Sequence, residues 1–143
     1  MKATLTYIRI ILICMALAAW GRIFCESQSM MSWRELAGKP ITLWMKTAAQ
    51  NFAVEFFFFG FWHLLASATY GIYLLISRKG TPLARNIIVG SLNGFWWALL
   101  ALWLNNRLRS WRIEESCSLL CLYAVLGGLF ALMHHKALAL SKV

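Results

Sequence analysis

The chain has 143 residues, 61% of them hydrophobic and only 13% charged, with 14 Lys and Arg against five Glu and no Asp. Soluble domains carry about 25% charged residues, so a mean hydropathy of +0.65 leaves too little polar surface to cover a water-facing fold. The net charge of +9 is spread between apolar runs rather than along one stripe, which fits anionic lipid headgroups and excludes nucleic acid as the partner.

These properties predict an all-α, polytopic integral membrane protein formed as one domain, 1–143. Four transmembrane helices are expected at about 10–24, 52–76, 87–104 and 116–133, with a short interfacial segment at about 32–50. The first run, IILICMALAAW, resembles the apolar part of a signal peptide. Trp20, Arg22, Ile23 and Phe24 follow it without a nearby small-x-small cleavage site, so it is read as a retained helix.

Ser32-Trp33-Arg34-Glu35 matches an S-x-x-E capping box, Gly38 is placed to stop that helix, and Pro40 suits the first position of the next. Ile41, Leu43, Trp44, Met45 and Ala48 alternate with Lys46, Gln50 and Asn51, an amphipathic pattern for a segment lying in the interface. The second span is the most apolar stretch: four phenylalanines follow Glu55, and no further formal charge appears until Arg78. About 20 such residues cross the ~30 Å hydrocarbon core. Ser77 to Pro82 turns the chain, Asn105 to Ser110 makes a basic hairpin, and Glu114 and Glu115 suit the first turn of the fourth helix.

With four spans both termini share a side. Lys and Arg divide seven to seven between the two sides, and the acid-free hairpin around Arg78 and Lys79 suggests that this side, with both termini, is cytoplasmic.

Small residues four apart mark helix packing, because lipid offers no hydrophobic drive and backbones must approach closely. The candidates are Ser67 with Gly71, Gly90 with Gly94, and Ala124 with Gly128, together with Gly127 and Ala131. Polar residues inside the apolar runs are the second signal, since they are costly there and often functional. Glu55 is expected near the interface, either hydrated or paired with Lys46 or Arg22. His63 is expected near mid-membrane, on one stripe with Ser67 and Tyr70. Equal depths predict a hydrogen bond between Tyr70 and Asn93.

No nucleophile–base constellation, metal-ligand spacing or phosphate loop is present, so neither catalysis nor a cofactor or metal is expected. His134 and His135 point about 100° apart on a helix and do not chelate together. Cys25 and Cys117 fall on one side and could pair if that side is oxidising. The expected function is that of a non-catalytic inner-membrane protein working through helix–helix and protein–protein contacts, with a protein partner or further copies of itself. It would serve as an accessory subunit of an envelope complex, an immunity or exclusion factor, or a holin-like protein. The alternative is a small oligomeric transporter or channel using Glu55 and His63.

Overall fold

A computed structural model of the chain describes residues 2–25, 31–77, 82–106 and 113–140. All regular structure among them is helical: α1 (Lys2–Cys25), α2 (Trp33–Leu36), α3 (Ile41–Val54), a π-helical turn (Glu55–Phe59), α4 (Gly60–Ile76), α5 (Leu83–Asn106) and α6 (Ile113–Leu140). Three stretches are long and apolar enough to cross a membrane: Leu5–Cys25, Leu83–Leu104 and Ser116–Ala137. A fourth exists if the bent pair Ile41–Phe57 and Gly60–Ile76 counts as one span. This fits a multi-pass membrane protein. α1, α5 and α6 extend past the expected runs 10–24, 87–104 and 116–133 at both ends.

The expectation of one continuous helix over 52–76 is corrected. The chain bends by 64° between the two segments. Neither Pro nor an internal Gly lies in Glu55–Phe59, and the bend coincides with a π turn, a recognised cause of sharp kinks.

The local signals upstream are formed. The Ser32 amide donates to Glu35 Oε2 at 2.7 Å, closing the capping box. Gly38 then adopts φ +74°, a left-handed conformation that costs glycine little. Pro40 is the residue before α3 rather than its first, with the Leu43 amide donating to its carbonyl at 3.0 Å. Leu36 is fully buried with Ile23 and Ala48, tying α2 and α3 to the C-terminal half of α1.

α1 divides its length between two neighbours. Near its C-terminal end Asn51 Nδ2 donates to the Ala19 carbonyl at 3.2 Å, whereas near its N-terminus the Tyr7 hydroxyl donates to the Ser67 carbonyl on α4. α5 and α6 form the closest pair. A Cβ built on Gly90 would overlap the Gly127 carbonyl and lie 2.8 Å from Ala131 Cβ, and one on Gly94 would overlap the Tyr123 carbonyl. The Gly90-x-x-x-Gly94 face therefore packs within the bundle, against Gly127 and Ala131. Gly128 lies beside this seam, facing Ser91 and Ile87. Ala124 is half-buried. Gly71 looser still, with Tyr7 its nearest neighbour at 3.5 Å from a built Cβ.

The four cysteines are free, Cys25 and Cys117 included. The Arg78–Thr81 part of the first turn and the Arg107–Ser110 part of the basic hairpin lie outside the described residues, as do the side chains of Glu114 and Glu115.

Candidate functional site: a buried carboxylate at the helix break

Glu55 opens the π turn, and the bend carries its side chain inward. Its exposure is 0%, and three helices converge on the carboxylate. Arg22 of α1 forms an ion pair with Oε1. The Tyr123 hydroxyl of α6 donates to the same oxygen at 2.7 Å, and His63 Nε2 of α4 lies 2.9 Å from Oε2. Interfacial hydration of Glu55 is thus corrected to burial, and Arg22 rather than Lys46 is its cation.

Arg22 is itself 1% exposed and held on several sides. Its Nη2 donates to the Tyr123 hydroxyl at 3.0 Å, and its guanidinium carbon sits 4.2 Å from the centre of the Phe59 ring. The π turn therefore supplies both the carboxylate and a cation–π platform for the same arginine. A buried ion pair survives only when its remaining lone pairs and protons are also satisfied, and Tyr123 and His63 meet that need. The site lies toward one face of the bundle, since Arg22 is three residues inside the end of its span.

His63 is 12% exposed, and its ring is 5.7 Å from that of Tyr123. His63, Ser67 and Tyr70 do share one face of α4, and all three line a cavity of about 70 Å³ that also touches Arg22 and Tyr123.

The Tyr70–Asn93 hydrogen bond is not made. Asn93 Nδ2 donates to the Ala66 carbonyl at 2.7 Å, and its Oδ1 accepts from Thr69 Oγ1 at 2.8 Å. Trp97 Nε1 donates to the same threonine oxygen at 2.9 Å. Tyr73, not Tyr70, bonds α5, donating to Asn86 Oδ1 at 3.1 Å. Depth was matched but the face was not. Thr69 and Tyr73, four residues apart, look toward α5, while Tyr70 is turned to Phe130 and His134 of α6.

Tyr123, Thr69 and Trp97 were not expected at the site. A hydroxyl within the otherwise apolar Leu119–Leu126 segment is the one signal that could have marked Tyr123. His134 stacks on Phe130 while His135 is exposed, so the two point apart. Among the described residues no three metal-ligating side chains come together.

Comparison with protein-family models, with curated proteins and with solved structures finds no match.

Proposed function

We propose that the chain is a small four-span protein of a bacterial inner membrane, with both termini cytoplasmic, that acts through contacts with other membrane proteins or with copies of itself rather than by catalysis. In this reading the bent segment makes the second span and α3 lies along the interface, its exposed Ile41 and Met45 beside Lys46. An accessory subunit of an envelope complex, an immunity or exclusion factor and a holin-like protein are the roles that fit.

The observation that supports it is how the polar residues inside the bundle are used. Glu55 is met by Arg22, His63 and Tyr123, and Asn93 by Ala66 and Thr69. Their hydrogen bonds go to joining helices. Phe57, Phe61 and Leu64 on the bent segment, with Leu92, Trp96 and Trp103 on α5, are exposed large side chains on which lipid or another helix packs. Purification of the tagged full chain in mild detergent, after cross-linking in cells, tests the reading. A defined self-oligomer or a reproducible membrane-protein partner is expected; a lone monomer would count against it.

The second reading, a small oligomeric transporter or channel, is favoured by one feature. Glu55 is an ionisable residue at a break in a helix, the arrangement from which ion and substrate sites in transporters are built. If His63→Gln removes activity while leaving copurification unchanged, this second reading replaces the first.

A further inference from the structure

Two hydroxyls inside the bundle have no hydrogen-bond partner among the described residues. Ser67 is 6% exposed and Tyr70 2%, and among the described residues neither side-chain oxygen makes a hydrogen bond. Buried hydroxyls are nearly always bonded, to protein or to ordered water. Thr69, between them in sequence, is fully engaged with α5 and its own helix.

Both residues line the cavity that also touches Arg22, His63 and Tyr123, the three partners of Glu55. On α4 and the π turn its wall is Phe59, Trp62, His63, Ala66, Ser67 and Tyr70, one helical face spaced three and four apart. Within α4, beyond the bend, Trp62 and Tyr70 are eight residues apart, about 12 Å at the helical rise. The cavity is therefore a narrow slot running along the helix. Its volume of about 70 Å³ is under half the ~150 Å³ void that accepts a benzene ring. A few waters fit, and an apolar ligand of ordinary size does not. A dry cavity would need wholly apolar walls, whereas this one has Ser67 and Tyr70 toward one end and His63, Arg22 and Tyr123 toward the other.

We propose that the slot holds a short chain of ordered waters, bonded to the Ser67 and Tyr70 hydroxyls, that reaches His63 and makes this histidine the route by which protons exchange with Glu55. The groups facing Glu55 are Arg22 from α1, His63 from α4 and Tyr123 from α6. Glu55 itself has no exposed surface, and of the partners on its carboxylate only His63 stands on the α4 face that carries Ser67 and Tyr70, one turn from Ser67. In the exchange a hydronium of the chain gives its proton to the outer ring nitrogen of His63, and the Nε2 proton passes to Glu55 Oε2. The ring stays neutral, the carboxylate becomes a carboxylic acid, and the hydronium is left as water. The proposal stands whether the protein works through partners or as a transporter, because it concerns the waters of the slot and proton exchange with Glu55, not what the protein acts on.

The test uses the full chain in nanodiscs. Radiolytic hydroxyl-radical footprinting read by mass spectrometry labels side chains beside bound water, so Tyr70 should be modified despite its burial. Ala98→Leu, which fills the slot from α5, should abolish that label; Ala66→Val, from α4, is the second variant should the first fail to fold by circular dichroism. Time-resolved infrared spectroscopy after an acid jump then follows the protonated carboxyl band that is absent in Glu55→Gln. Filling the slot, or His63→Phe, should slow this band on the order of tenfold, since exchange must then wait for local opening. An unlabelled Tyr70 overturns the water chain. A band whose rate is unchanged in both variants overturns the route through His63.

Discussion

Arg22 and Glu55 are separated by 33 residues and meet as a fully buried ion pair at the point where the second apolar stretch breaks. Removing one partner strands the other charge in a low-dielectric interior. Glu55→Gln is therefore expected to destabilise the bundle by about 3–5 kcal/mol, and replacing both residues with Met and Leu to recover most of the loss. Denaturant unfolding in detergent, followed by circular dichroism and arranged as a double-mutant cycle, measures the coupling. A double variant that loses the sum of the two single losses would remove the pair from the account.

Two of the small-residue positions, Gly90 and Gly71, differ in how much room they leave. Gly90→Ala forces a methyl into the Gly127 carbonyl, backbone against backbone, and should cost about 1–3 kcal/mol as the α5–α6 seam opens. Gly71→Ala meets only ordinary van der Waals contact with Tyr7 and should stay within about 0.5 kcal/mol of the parent. Thermal unfolding of the two variants side by side gives the comparison. A Gly90 variant as stable as the Gly71 variant would mean that the seam is looser than described.

Tyr70 and Tyr73 make a matched pair of the same chemistry. Tyr73→Phe takes a hydrogen bond from buried Asn86 and should cost about 0.5–1.5 kcal/mol. Tyr70→Phe removes no protein hydrogen bond, so its cost should be smaller. Reversal of that order in unfolding measurements would show that Tyr70, not Tyr73, joins α4 to its neighbours.

Gly38 has φ +74° and open space where a side chain would go. Gly38→Ala should thus cost about 1–2 kcal/mol through backbone conformation alone. Because α2 and α3 pack on Ile23, the loss should appear as faster amide exchange in 33–48 while α5 and α6 stay protected. Uniform loss of protection would contradict it.

Much of this architecture was readable from residues that act locally. Apolar runs mark the spans, Ser32 and Glu35 cap one another through adjacent backbone, and the small residues of α5 and α6 sit at the spacing that lets helices touch. The break at Glu55 was not readable, because no Pro or Gly within the π turn announces it. Its cause is tertiary: the carboxylate is drawn to an arginine on another helix and a tyrosine on a third. The same limit governed Tyr70. Residue counting along two helices predicts depth well, but the rotation of a helix about its axis depends on all its neighbours at once. Three polar residues on one face of α4 were correctly grouped, and only the partner given to Tyr70 was misjudged.

The order in which the chain is made bears on Arg22. Its partners Glu55 and Tyr123 follow it by 33 and 101 residues. At a synthesis rate of about 5–20 residues per second, the arginine waits roughly 2–7 s for its carboxylate and 5–20 s for its tyrosine. During that interval α1 carries an uncompensated cation near the end of its span, where a long side chain can still reach the headgroups. The first helix should consequently enter the bilayer in a shallow, provisional position and settle only when α6 arrives. A nascent chain halted before residue 123 should leave Arg22 open to membrane-impermeant guanidinium reagents, and the completed chain should close it off.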